Sequence, residues 1–243
     1  MRRRSKIEVE IRNTLSEFLI LSLKAREMSA ALYIIFRFCQ FMKEKSKNRI
    51  RLTELLNHEK DILWLQHNRE GVSKGLNFHT IFEIDSENYI KLKSRFERQL
   101  SGICNKSRLY WDFISSLYSK KEAFKVGIVG EIKKGVLLFN GGFYFECHEF
   151  LEELWKKEKG REKEFLKGLI HSAVAFYHLE YENYKGTVNY LRRSYKRLKE
   201  FEPIFLDVDV RAFLSDVDNF LKSFEKSGSG NLKEAIPKIR MVK

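Results

Sequence analysis

Only two prolines, Pro203 and Pro237, occur in 243 residues, so almost nothing in the chain forbids continuous helix. Segments that alternate apolar and polar residues are few as well, which leaves little basis for strands. The three cysteines, Cys39, Cys104 and Cys147, lie far apart and outside any CxxC spacing. That spacing argues against a disulfide framework and a cysteine zinc site, and it fits a reduced, cytoplasmic protein. Long uncharged apolar runs are missing: Glu17, Lys24 and Arg37 break the segments that follow the basic start, so neither a signal peptide nor a membrane span is expected. The Walker loop, the dinucleotide fingerprint and the serine nucleophile elbow are also missing, which withdraws support from nucleotide hydrolysis.

What is present is apolar bulk at helical spacing. With 43% hydrophobic residues the chain can bury one large core or two modest ones, and the expected class is all-α. Two domains are expected: a basic, mainly helical domain over residues 1–125 and an antiparallel helical bundle over 126–243. Of the formal net charge of +13, residues 1–130 carry +10 and the remainder +3. A positive surface of this kind attracts an acidic partner, protein or nucleic acid, although a lysine-rich solvated surface is the ordinary explanation.

In the first half, Ile11, Leu15, Phe18, Leu19 and Leu23 recur with helical period, and the strongly apolar residues 29–43 follow. The two segments read as a packed helical hairpin. The second is apolar almost all round, which suits a buried helix or a homo-oligomer interface. A further helical pattern runs through Leu52, Leu55, Leu56, Ile62, Leu63 and Leu65, and residues 66–79 read as a loop. Phe78 to Ile84 has the composition of a short strand with no evident partner, and helical periodicity is expected to resume from Tyr89 to Leu100 and from Leu109 to Tyr118.

The second half is plainer. Helices are expected at 132–139, 143–159, 162–181 and 187–201. Asn140, Gly141 and Gly142 form a turn, and Asp209 caps a last helix that runs to Phe224. Ser227 to Gly230 forms a flexible break before a tail.

The stretch His148-Glu149-Phe150-Leu151-Glu152-Glu153-Leu154-Trp155 is the most informative in the chain. At about 100° per residue, His148, Leu151, Glu152 and Trp155 share one helix face. A histidine and a carboxylate buried beside a tryptophan need a bonding partner, and His178 on the next long helix is the candidate. His171 lies seven residues earlier, roughly 10 Å along the axis, so at most one of the two histidines is expected to join the site. Three readings follow. His148, Glu152 and His178 supply ligands for a divalent metal, with Glu149 as general base of a hydrolase. A metal-free acid and base pair is the second. The third and plainest is a hydrogen-bonded network that fixes helix register around a ligand-binding or structural pocket. The HExxH motif is matched only in part, because its second histidine is replaced by Glu152.

The run from Phe139-Asn140-Gly141-Gly142-Phe143 through Cys147-His148-Glu149 to Trp155, with Gly168-Leu169-Ile170 and Tyr177-His178-Leu179, resembles the domain of unknown function 309 family. The resemblance spans about residues 131–240 and takes in Phe201-Glu202-Pro203 and Asp207-Val208-Asp209-Val210. It implies an all-helical bundle in which His148, Glu149, Glu152, Trp155 and His178 are marker positions, and it supplies no activity. His171 departs from the pattern, since glutamine is common there.

Weaker candidates are basic. Arg192, Arg193, Lys196, Arg197 and Lys199 share a helix face that suits either solvent or phosphate. Tyr184, Tyr190 and Tyr195 can add stacking. Arg2 to Arg4 and Lys43 to Arg51 are basic clusters of the same ambiguity, with Lys43, Lys45 and Lys47 the candidates for nucleic-acid contact. His58, His67 and His79 have no ligand spacing.

Overall fold

The computed structural model describes residues 5–45, 49–55, 78–119, 124, 126–227 and 236–242, and the chain divides into two compact units that separate between Glu122 and Ala123.

In the first unit, helix α1 (Lys6–Lys24) opens with a capping box, in which the Ser5 hydroxyl accepts from the Glu8 amide while the Glu8 carboxylate accepts from the Ser5 amide. Helix α2 (Ala30–Lys45) follows a single 3-10 turn, and both helices pack on a later helix of the same unit, α5 (Leu100–Ser119). Leu15, Leu19, Leu32, Ile35, Ile103 and Ile114 are fully buried between them. The apolar second segment is thus a core helix.

A small antiparallel sheet completes this unit. Strand β1 (Arg49–Arg51) leads into the single turn α3 (Leu52–Leu55), and after α4 (Phe78–Ile81) come β2 (Phe82–Ile84) and β3 (Tyr89–Leu92), in the order β1-β3-β2. The strand expected at Phe78 to Ile84 therefore begins at Phe82 and does have partners. The helix expected from Tyr89 does not form: β3 pairs on both sides, and a 3-10 stretch, Ser94–Gln99, precedes α5. The reason is the turn at Asp85, whose carboxylate accepts from the Glu87 and Tyr89 amides while Asn88 takes φ 61°, so the chain reverses before a helix can start. Of the helical pattern from Leu52 to Leu65 the described residues include only the turn α3, and of the loop expected over 66–79 only Phe78 and His79, which open α4 instead; the clusters at Arg2–Arg4 and Lys47 lie outside the described residues.

Cys39 on α2 and Cys104 on α5 form a disulfide, Cα atoms 5.3 Å apart. This corrects the inference from cysteine spacing. Two residues 65 positions apart meet because α2 lies along α5, and no local motif announces that contact. The disulfide also removes the cysteine-based case for a reduced compartment.

The second unit is built from α6 (Ile128–Asn140), α7 (Tyr144–Trp155), α8 (Gly160–Glu180), α9 (Tyr184–Leu198) and α10 (Val210–Ser227). A two-residue hairpin, β4 (Ile204–Phe205) and β5 (Val208–Asp209), separates the last two helices, with Leu206 and Asp207 at positive φ as such a tight reversal requires. Asp209 accepts from the Ala212 amide and so caps α10. Aromatic rings fill the core: Phe139, Tyr144 and Phe176 meet one another at 5.4–5.6 Å, and Phe213 and Phe220 join from α10.

The turn after α6 does more than reverse the chain. Gly142 takes φ 79°, open to glycine, and the Asn140 side chain donates to the Ile239 carbonyl at 2.8 Å and accepts from its amide at 2.9 Å. A side-chain amide here imitates a strand neighbour, and the tail over 236–242 docks on it with Ile239 buried. The protein is mostly helical, as expected, with two small sheets beside the helices among the described residues. Among the described residues no helix is long and apolar enough to cross a membrane.

Candidate functional site

Helices α7, α8 and α9 enclose a pocket of about 370 Å³, and His148, Glu152, Trp155 and His178 all line it. Helix α8 packs against both of its neighbours, and small residues set the closeness on one side. The Ser194 hydroxyl donates to the Gly168 carbonyl at 2.9 Å and lies 2.6 Å from the Ser172 hydroxyl. A Cβ on Gly168 would stand 2.5 Å from Leu198 Cδ2. Glycine at 168 is therefore what lets α9 approach α8 this closely.

His148 is half-buried and engaged on both ring nitrogens: Nε2 lies 3.1 Å from Glu152 Oε1, and Nδ1 lies 3.2 Å from Glu149 Oε1. Both contacts are favourable only when both nitrogens carry protons. Burial opposes that charge, but the hydrogen bond to Glu149 and the charge of Glu152 outweigh it and raise the pKa above its usual value. Glu149, the candidate general base, is thus a direct partner of the histidine.

His178 was expected to bond with His148 and Glu152. Instead its Nδ1 accepts from the Asn183 side-chain amide at 2.9 Å, while Asn183 Oδ1 caps α9 by accepting from the Gly186 amide at 3.1 Å. That arrangement makes His178 neutral with its proton on Nε2, and burial lowers its pKa accordingly. The ring stacks on Tyr190 at 5.3 Å.

The metal triad is accordingly not assembled. Among the described residues no group of three or more His, Cys, Asp or Glu side chains is placed to hold a metal ion. A metal ligand needs a lone pair aimed at the ion, whereas His148 spends both nitrogens on carboxylates and His178 turns its lone pair to Asn183.

The expectation that only one of His171 and His178 joins the site is also corrected, for both line the pocket. Two turns of separation prevent shared ligation of one ion but not shared lining of a cavity this long, and Tyr190 contacts both imidazoles. His171 Nδ1 is closed to solvent and has no hydrogen-bond partner among the described residues; the same holds for Trp155 Nε1. Lys163 and Lys167 sit over the Trp155 ring, at 4.5 and 5.9 Å. Burial, followed by the charges of Arg197, Lys167 and Arg193, lowers the His171 pKa from 6.5 to about 4.

A pH dependence follows. Unfolded, His171 takes a proton near 6.5; folded, it resists protonation until about pH 4. Between those values the unfolded chain binds more protons, so stability falls as pH falls through that window. A His171→Gln variant should lose that part of the slope, on the order of 1–2 kcal/mol after discounting for the ring's partial exposure. Denaturant melts of both proteins at pH 7 and pH 4.5 check it; equal slopes would contradict it.

Several pocket residues escape a reading of sequence. Phe145, Lys167 and Tyr190 line the wall beside the marker residues. Phe145 stood next to the motif and Tyr190 on a face read as weak stacking, while a lone lysine carries no signal at all. Asn183 is missed too, although an asparagine before a helix is a capping signal. Cys147 offers no chemistry: it is buried, its thiol donates to the Gly135 carbonyl at 3.3 Å, and burial beside Glu146 pushes its pKa far above the usual range. Of the basic face, Arg197 pairs with Glu164, and Arg193 lies over the Tyr190 ring at 5.4 Å. Arg192 and Lys199 are exposed.

Comparison with known proteins places this site within a recognised segment. Residues 132–190 match the family model described as Domain of unknown function (DUF309). The match stops short of Phe201-Glu202-Pro203 and of Asp207 to Val210, which the resemblance takes in. The chain is similar to an uncharacterized protein of Bacillus subtilis (strain 168), YpuF, with 40% identity over 57 residues, which is 23% of this chain and 33% of that protein. The chain thus spans about a third of the length of the curated relative it matches. No solved structure matches. His148, Glu149, Glu152, Trp155, His171 and His178 all fall inside the matched segment, and the chain carries a DUF309 domain at residues 132–190.

Proposed function

We propose that the C-terminal unit is a ligand-binding module whose pocket between α7, α8 and α9 takes a small organic molecule with a flat ring. The observation that carries this reading is the wall itself. Aromatic rings of Phe145, Trp155, Tyr177 and Tyr190 surround the cavity, with the apolar Ile170 and Val174 beside them on α8. A flat ring bound there would gain apolar and ring-to-ring contact from these side chains. The His148 to Glu149 and Glu152 contacts fix the rotamer of one wall, and the Asn183 to His178 bond fixes another, so the cavity is held open by bonded side chains.

The test uses neutral aromatic amides. Benzamide should bind the full chain saturably in saturation-transfer NMR, and Val174→Trp, which places an indole into the cavity from its α8 wall, should abolish the effect. Saturable binding that survives Val174→Trp, or no binding to the parent chain, would refute the proposal.

A further inference from the structure

The pocket continues past His171. Lys167 and His171 line both the aromatic pocket and an adjoining cleft of about 500 Å³, whose remaining walls are Arg193, Lys196, Arg197 and Glu200. The charges of this cleft are unequal. Arg197 is held by Glu164, and Glu200 contributes the single carboxylate of the lining. Lys167, Arg193 and Lys196 make no ion pair with a carboxylate of the described residues; Lys167 and Arg193 lie instead over the Trp155 and Tyr190 rings that form the pocket wall. The cations are thus placed at the junction between an aromatic cavity and open solvent.

Resting on the small-molecule reading above, we propose that the cleft is the anion-binding half of one bipartite site, and that its ligand is an aromatic compound bearing a phosphate group. The ring lies among the aromatic side chains, and the phosphate is met by Lys167, Arg193 and Lys196. Three cations around one group match the charge of a phosphomonoester dianion better than that of a single carboxylate. Arg193 offers two parallel N–H donors to such a group, and its place over Tyr190 holds those donors beside the cavity mouth. Arg193 and Lys196 lie beyond residue 190 on α9, outside the matched family segment, whereas Lys167 on α8 lies within it.

The experiment compares phenyl phosphate, inorganic phosphate and benzamide on the full chain by NMR titration. Phenyl phosphate should bind at least tenfold more tightly than inorganic phosphate, and added salt should weaken it while leaving benzamide unaffected. The double variant Arg193→Glu/Lys196→Glu changes only exposed side chains, and it should lower phenyl phosphate affinity tenfold or more with benzamide affinity unchanged. If benzamide binds but phenyl phosphate is no tighter than inorganic phosphate, or is retained by the double variant, the anion half is overturned and the pocket reading stands. If neither aromatic probe binds, the pocket reading falls first and takes this proposal with it.

Discussion

Replacing Phe176 with alanine should destabilise the C-terminal unit by about 3–5 kcal/mol, the range for deleting a fully buried ring. Phe176 has no exposed surface, and its ring meets Phe139 at 5.6 Å, Tyr144 at 5.5 Å and Phe220 at 5.4 Å. Those neighbours come from α6, α7 and α10, and they are large, rigid rings that cannot collapse into the space left behind. The cavity term therefore adds to the lost transfer free energy. Phe145→Ala should cost much less, since that ring lies on the pocket wall and is only partly buried. Amide exchange in α8 under native conditions measures both. Similar losses for the two variants would show that the aromatic cluster is not the core.

The second large effect is expected at Gly168. A valine there should cost about 2–3 kcal/mol, as overpacking in a closed interface does, offset only slightly by better helix propensity. The added carbon meets Leu198 Cδ2 at 2.5 Å and Cγ at 2.7 Å, and Leu198 is fully buried, so it has no free direction in which to turn. Separating α9 from α8 would also pull Ser194 off the Gly168 carbonyl and shift Tyr190 away from His171 and His178. Trimming the obstacle should help: Gly168→Val/Leu198→Ala is expected to be more stable than the sum of the single losses predicts, and urea melts of the four proteins give the coupling energy. Strict additivity would place the strain elsewhere.

The parts of this protein written into local sequence are those that depend on local geometry. The 100° step along α7 puts His148, Glu152 and Trp155 on one face whatever packs against it, and all three line the same pocket. Asp209 caps α10 because a short acidic side chain reaches back to the next turn in any context. What depends on a second element was hidden. Cys39 and Cys104 pair because α2 and α5 run together, which neither segment encodes alone. The strand at Tyr89 was masked by residues with helical spacing, while the turn signals in Asp85-Ser86-Glu87-Asn88 were decisive. His178 was read as a partner for His148, but Asn183, five residues on and sharing its turn, competes for it at shorter range. Lys167 had no distinguishing pattern, because the same residue in the same periodicity would serve as an ordinary solvated lysine.

The central claim is that the cavity between α7, α8 and α9 accepts a flat aromatic molecule among its ring side chains. The most direct measurement is the indole ¹⁵N–¹H resonance of Trp155 in the full labelled chain, assigned with Trp155→Phe and followed during titration with benzamide. The account predicts a saturable shift of that resonance as a bound ring settles beside the indole, with the Trp111 indole in the other unit unmoved. A Trp155 signal that stays in place, or moves in step with Trp111, would contradict it.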